Sequence, residues 1–329
     1  MQQSLIVFVA ALIYIGLLFL VASYGDKLRR LPRARMRLLV YPLSLAVYCT
    51  SWTFFGSVGL ATRSGAEFLA IYIGPMIMIG LCTPLIIRVI RLAKSQNSTS
   101  IADFIAARYG KSQTLAATVA LIAIIGCVPY IALQLKAVSL SLETVLRQMP
   151  SSGLSVQPLL GDLALVVALT MTAFAILFGT RHTDATEHQD GLMLAISAES
   201  IVKLIAFLAV GIFVVFHIFD GPGDLLARAA QSTRVANAFP EFRLTGSFMT
   251  MMLLSFFAII LLPRQFHVTV VESYDEREVK RARWLFPLYL VAINLFVIPI
   301  AVAGLIIFKD GAADGDMFVL ALPLASGSS

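Results

Sequence analysis

The stretch YCTSWTFFGSVG, Tyr48–Gly59, lies in the middle of a long apolar run and decides the fold. It gathers Thr50, Ser51, Thr53 and Ser57 where a membrane helix is expected to be most apolar, and its two glycines lower helix stability. Two interpretations follow. The stretch is either a contact between membrane helices made by small residues, or a discontinuous helix whose freed carbonyls face an ion or a solute.

Composition indicates the class of protein. The chain of 329 residues is 59% hydrophobic and 13% charged, with a mean hydropathy of +0.87. Soluble domains are nearer a quarter charged. The apolar residues come in continuous blocks of about 20, the length that crosses ~30 Å of hydrocarbon as a helix. We therefore predict an all-α polytopic membrane protein, and no catalytic motif marks this chain as an enzyme.

The apolar blocks predict about eight transmembrane helices in a single domain covering 1–329. The predicted spans lie near 4–24, 38–60, 68–90, 114–146, 162–179, 191–219, 245–263 and 284–308. Loops after the odd-numbered spans hold most of the Lys and Arg residues, which places those loops in the cytoplasm and the N-terminus outside. The net charge of +6 is explained by this distribution, so no nucleic-acid partner is predicted.

Ionisable side chains at membrane depth are costly and usually face a partner or a cavity. Glu199 and Lys203 lie four residues apart in the sixth span, so they share a helix face and are predicted to form an intramembrane charge pair. The pair is either structural or part of a transport site. The segment 180–191 is rich in His, Asp and Glu, but its spacing matches no standard ligand pattern, so no metal site is predicted.

A second interruption is expected in the seventh span, five spans after the first. Thr250 and Ser255 are its mid-span polar residues, and the span ends in LLPRQFHV. Two interrupted helices, five apart and antiparallel, are what an inverted repeat of five-helix units would produce.

Four motifs carry a resemblance, and they occur in order along nearly the whole chain. They are TSWTFFGSVG in the second span, SIADFIAARYG after the third, TDATEHQDG before the sixth and PRQFHV after the seventh. Together they resemble the sodium/solute symporter family, which has the LeuT-like inverted-repeat fold. YCTSWTFFGSVG with VPYIALQLKAVS resembles more narrowly the transporter-like N-terminal module of bacterial membrane sensor histidine kinases.

The resemblance implies an ion site and a substrate cavity. The ion would be Na⁺, bound by the backbone carbonyls of Ala46 and Cys49 and by hydroxyls of a later helix beyond residue 329. Tyr48 stands where symporters often have an acidic residue. The cavity would lie between the second, fourth and seventh spans, and for each of its residues packing is the alternative role. The implied cavity residues are Trp52, Phe55, Tyr130, Gln134, Ser255 and Phe256.

The resemblance favours one function and leaves two alternatives. The favoured function is binding of a small polar solute such as an amino acid or a carboxylate, with or without its transport by alternating access, as the sensory input of a histidine kinase. The alternatives are a stand-alone Na⁺/solute symporter and a non-transporting membrane anchor.

The favoured function also implies a setting. We expect a multi-pass protein of the bacterial inner membrane, embedded in the lipid bilayer. Its partners would be C-terminal kinase domains and a response regulator, and Na⁺ is the candidate coupling ion, with no other cofactor. The sequence ends within a newly begun apolar stretch, so we expect the chain to be part of a longer protein.

Overall fold

A computed structural model describes residues 13–23, 34–147, 165, 168–169, 172, 190–240, 244–308 and 313–326. These residues form helices and no strand, which confirms the predicted all-α class. The helices, numbered along the chain, are α1 (Ile13–Ser23), α2 (Ala34–Ser44), α3 (Ser51–Phe54), α4 (Gly56–Ser64), α5 (Leu69–Gly80), α6 (Thr83–Ser95), α7 (Ile101–Arg108), α8 (Gln113–Arg147), α9 (Asp190–Phe213), α10 (Pro222–Gln231), α11 (Thr233–Ala238), α12 (Gly246–Leu261), α13 (Pro263–Phe266), α14 (Glu276–Asn294), α15 (Val297–Ile307) and α16 (Phe318–Ser326).

Shorter turns extend several of these helices. Leu45–Tyr48 continues α2 as a 3₁₀ turn, Gly65–Phe68 joins α4 to α5 and Gly315–Met317 precedes α16 in the same form. Val214–Ile218 and His267–Val271 are π-helical turns after α9 and α13.

Three helical segments are long and apolar enough to cross a membrane: Gln113–Val145, Asp190–Ile218 and Glu276–Ile307. Two more qualify only as bent pairs, α4–α5 with α6, bent by 69°, and α12 with α13, bent by 54°. The described residues thus contain three to five such segments, compared with the eight predicted spans. Only 13–23 of the first predicted span is described, and of the fifth span only 165, 168–169 and 172 are described. Segment 180–191 lies outside the described residues except for its last two positions.

We expected the third predicted span to be one continuous helix, but the structure divides it into two. It ends at Gly80 and restarts at Thr83 as α6. Pro84 is the reason, because proline has no N–H and its ring clashes with the carbonyl four residues earlier.

The start of the eighth predicted span also differs from the prediction. Its helix begins at Glu276, eight residues before the predicted start at 284. There the Asp275 side chain accepts a hydrogen bond from the Arg277 amide at 3.1 Å and caps the helix.

The seventh predicted span is interrupted, but not at its mid-span polar residues. Helix α12 runs unbroken through Thr250 and Ser255, whose hydroxyls donate to backbone carbonyls three or four residues earlier. The helix breaks instead at Leu262, which has an extended ψ of 130°. A residue before proline is disfavoured in the helical region, so Pro263 fixes the position of this break.

Helices α5 and α12 form one of the closest contacts in the protein. A Cβ placed on Gly74 would lie 2.2 Å from Ser255 Oγ and 2.5 Å from the Met252 carbonyl oxygen. Ser255 Oγ donates to the carbonyl of Ala70 at 3.0 Å, so the hydroxyl joins the two helices. Glycine permits this approach because it has no side chain.

Helix α14 packs against α2 and α5 and forms the centre of the core. Tyr289 on α14 is 4% exposed, and its hydroxyl donates to the Ser200 carbonyl of α9 at 2.9 Å. Tyr41 on α2 is 1% exposed and donates to the Thr269 carbonyl at 2.7 Å. These buried hydroxyls hold α9 and the π-helical turn after α13 in place around the second predicted span.

Candidate functional site

The second predicted span is discontinuous. After the 3₁₀ turn, Cys49 (φ −80°, ψ 99°) and Thr50 (φ −101°, ψ −168°) have extended backbones, and the helix restarts at Ser51. The helical break of the second interpretation is observed, and so is a close contact at a small residue, because a Cβ on Gly59 would meet the Asp316 side chain. We call Cys49–Thr50 the first break and Leu262 the second break.

Helix α9 contacts the first break through Lys203. Its Nζ lies 3.3 Å from the Cys49 carbonyl oxygen, to which it donates, and 2.6 Å from Glu199 Oε1. The side chains of Lys203 and Glu199 are 23% and 34% exposed. One carbonyl of the broken helix therefore already faces a positive charge belonging to the protein.

Helix α8 contacts the same break through two residues. The Tyr130 hydroxyl donates to Thr50 Oγ1 at 3.2 Å, and Ser51 Oγ donates to Gln134 Oε1. Tyr130 and Gln134 are four residues apart, so both project from one face of α8. The Nε2 atom of Gln134 is buried and has no hydrogen-bond partner among the described residues.

The second break reaches the first through Arg264 in α13. Its Nη2 donates to the Tyr130 hydroxyl at 3.1 Å, and its guanidinium carbon lies 5.4 Å from the centre of the Tyr130 ring. This distance is within the range of a cation–π contact. The hydroxyl of Tyr130 thus connects the two interrupted helices. In the described part of the chain, no carboxylate forms an ion pair with Arg264.

Hydropathy did not identify Arg264 as a site residue, because the hydropathy pattern places Arg264 in the loop after the seventh predicted span. Thr50 and Ser51 belonged to the hydroxyl cluster that marked the stretch, but their partners lie on distant parts of the chain. The implied site residues that the structure brings to the first break are Cys49, Tyr130 and Gln134, with Lys203 and Glu199 beside them.

Some of the other implied cavity residues contact neighbouring aromatic rings. Phe256 stacks edge to face on Phe257, with ring centres 5.1 Å apart. Phe55 lies beside Phe54, which contacts Phe207 at 5.5 Å.

Two further implied residues pack against glycine. Trp52 covers Gly56 so closely that a Cβ on the glycine would lie 2.5 Å from Trp52 Nε1. Ser255 is engaged with α5, as described above. The observed contact of Trp52 is therefore a packing contact, and those of Ser255 are packing and hydrogen bonds to backbone carbonyls.

A network of charged side chains joins the first turns of α2, α9 and α14. Arg37 Nε donates to Glu278 Oε1 at 2.7 Å, Nη1 donates to Asp190 and Nη2 donates to the Glu272 carbonyl at 2.9 Å. The guanidinium lies 3.7 Å from the centre of the Tyr274 ring. We call these five residues the Arg37 cluster. The Arg37 side chain is 13% exposed, so the cluster ties α2, α9 and α14 together in a mostly buried setting.

A cavity of about 460 Å³ lies beside this cluster, between α6 and the start of α14. Lys94 and Tyr274 line it, and Lys94 Nζ donates to the Tyr274 carbonyl at 3.1 Å. It is distinct from the implied substrate cavity at the first break. Among the described residues, no group of three or more His, Cys, Asp or Glu could hold a metal ion.

No family model, no curated protein and no solved structure matches the chain. We therefore infer its function from the geometry around the two breaks and from the resemblance of its motifs.

Proposed function

We propose that this chain is a transporter-like membrane module that binds a small polar solute at the first break. The observation that carries the proposal is the position of the Tyr130 hydroxyl, 3.2 Å from Thr50 Oγ1 and 3.1 Å from Arg264 Nη2. Irregular backbone at membrane depth is tolerated where it is buried in protein or lines a cavity. Transporters typically form their substrate and ion sites at discontinuous helices.

The solute is an amino acid or another carboxylate. Arg264 has no carboxylate partner among the described residues, and the Nε2 of Gln134 is a buried donor without an acceptor there. A carboxylate would supply acceptors to both kinds of donor. Hydrogen bonds between a guanidinium and a carboxylate are among the strongest in proteins.

We propose alternating access as the mechanism, and the connection between the two breaks supports it. Solute binding can shift the module between two arrangements only as far as it binds one of them more tightly. The Tyr130 hydroxyl joins both breaks, so a solute that replaces either of its hydrogen bonds changes how the two helices are held together. The Lys and Arg distribution supports a multi-pass orientation in the bacterial inner membrane with the N-terminus outside, in which the Arg37 cluster lies at the cytoplasmic end.

The LeuT-like, eight-span architecture and the sensor role belong to this proposal through the motif resemblance. In the sensor role, the solute-dependent shift passes to C-terminal kinase domains and a response regulator. The stand-alone symporter is the second candidate. The sequence following Ser329 in the gene separates them, since a histidine box and an ATP-binding domain are expected of a sensor, and further helices followed by a stop are expected of a symporter.

The test is a binding screen of the purified chain in lipid nanodiscs. Amino acids and small mono- and dicarboxylates are added one at a time and the unfolding temperature is measured. We expect at least one compound to raise it, and Arg264→Gln to weaken binding of that compound roughly tenfold or more, as for loss of a hydrogen bond to a charged group.

Arg228→Gln is the matched control, because Arg228 pairs with Asp224 in exposed helix α10 and lies outside the site. If no compound stabilises the protein, or if both arginine variants weaken binding equally, solute binding at the first break is contradicted and the membrane anchor becomes the better account.

A further inference from the structure

The residues at the first break do not fit the Na⁺ ion that the resemblance implies. The two carbonyl oxygens that would bind it already accept hydrogen bonds from the protein. The Ala46 oxygen accepts from the Cys49 amide at 2.8 Å, and the Cys49 oxygen accepts from Lys203 Nζ at 3.3 Å. Both carbonyl oxygens are present, but the ammonium group of Lys203 occupies the position next to the Cys49 oxygen.

The charge of Lys203 also disfavours Na⁺ at this position. A Na⁺ ion bound to the Cys49 oxygen would lie a few ångströms from the ammonium of Lys203, and like charges at such distances repel strongly in a partly buried site. The carboxylate of Glu199 offsets part of this repulsion, but its charge is balanced by Lys203 at 2.6 Å, so the pair as a whole offers no net negative charge to a Na⁺ ion. Among the described residues, no second carboxylate forms an ion pair with Lys203.

We propose that the ammonium of Lys203 takes the place of the coupling ion, as a tethered cation held by Glu199 against the Cys49 carbonyl. The break is then stabilised without Na⁺, and solute binding does not require it. The claim that solute binding does not require Na⁺ rests on the proposed function. The claim that Lys203 occupies the cation position rests on the contacts of Lys203 and does not need a solute.

A purely structural ion pair is the rival interpretation, and it makes a different prediction. Such a pair would stabilise α9 but would leave the carbonyl of Cys49 able to take up Na⁺ independently. A tethered cation excludes Na⁺ while it is present, and its removal opens a position that another cation can fill.

The test measures binding of radioactive sodium and the unfolding temperature for the wild type, Lys203→Ala and Lys203→Arg in nanodiscs. We expect the wild type and Lys203→Arg to show no saturable Na⁺ binding at millimolar concentrations. We expect Lys203→Ala to unfold at a lower temperature and to regain stability with Na⁺ or with ethylammonium, which supplies the lost ammonium group. Choline chloride keeps the ionic strength constant.

Lys136→Ala is the matched control, because Lys136 is an exposed lysine on α8. The unfolding temperature of this variant should change with neither cation. Saturable Na⁺ binding to the wild type or to Lys203→Arg would overturn the proposal. So would a Lys203→Ala protein that neither cation stabilises. The wild-type and Lys203→Arg measurements keep the proposal open to contradiction even if Lys203→Ala does not fold.

The two proposals fail in different ways. If a carboxylate binds the wild type only when Na⁺ is present, the tethered cation is contradicted while solute binding stands. If no solute binds in any salt, solute binding is contradicted, and the sodium and ethylammonium measurements still decide the role of Lys203.

Discussion

Arg264 Nη2 lies 3.1 Å from the hydroxyl of Tyr130, although the two residues are 134 positions apart in sequence. The same hydroxyl lies 3.2 Å from Thr50 Oγ1, so a single side chain of α8 connects the two interrupted helices. The proposed solute site and the proposed motion both depend on this connection.

Removing the hydroxyl should therefore weaken the protein and its site. We expect Tyr130→Phe to lower the free energy of unfolding by about 1–3 kcal/mol, because two hydrogen bonds of about 0.5–1.5 kcal/mol each are lost. Thermal unfolding in nanodiscs measures the change. Tyr109→Phe is the control, because Tyr109 is 66% exposed. Equal stability of the two variants would show that the hydroxyl does not hold the breaks together.

The contact between α5 and α12 should not tolerate even one added methyl group. We expect Gly74→Ala to destabilise the protein by about 1–3 kcal/mol, because its Cβ would meet the backbone carbonyl of Met252 and Ser255 Oγ. Gly126→Ala on α8 is the opposite case, since nothing lies within 4 Å of its Cβ and alanine favours the helix. Unfolding temperatures that fall to the same extent in both variants would contradict this close packing.

The Arg37 cluster should be a strong contributor to stability. We expect Arg37→Ala to cost roughly 3–5 kcal/mol, the usual effect of removing one partner from a buried ion pair. The mostly buried carboxylates of Glu278 and Asp190 would both lose the guanidinium with which they form ion pairs. Arg277→Ala should change stability by less than about 1 kcal/mol, because that side chain is 84% exposed. An Arg37→Ala protein as stable as Arg277→Ala would contradict the assignment.

The proposed orientation predicts which residues face the outside of the cell. In a chain whose three cysteines are replaced by alanine, we expect Gln231→Cys to react with a membrane-impermeant maleimide in intact cells. Arg108→Cys should react only after the membrane is opened. Both positions are exposed, so accessibility within the protein does not explain a difference. The reverse labelling pattern would place the N-terminus inside.

Local sequence predicted the first break but not its contacts. The hydroxyls and glycines of Tyr48–Gly59 indicated a weakened helix, and the break lies at Cys49–Thr50, near the start of that stretch. The glycines have a different role from the one expected, since Gly56 lies within the restarted helix and makes room for Trp52.

The second break shows why the rest could not be predicted. Thr250 and Ser255 look like an interruption in the sequence, but their hydroxyls bond to backbone carbonyls within an intact helix. The partner of Arg264 is a long-range contact, and no local pattern of apolar residues encodes such a pairing. Sequence therefore indicated the helices and one weak point, whereas tertiary packing decides which polar groups meet there.

The most direct measurement uses tryptophan fluorescence, because the chain has only two tryptophans, Trp52 and Trp284. Trp284 is 72% exposed, so Trp284→Phe should fold normally and leave Trp52, three residues after Cys49, as the sole reporter at the first break. Titration with a carboxylate found in the binding screen should change this fluorescence saturably, with the same affinity in sodium and in choline buffer. A flat titration while calorimetry detects binding would place the solute elsewhere and contradict the account.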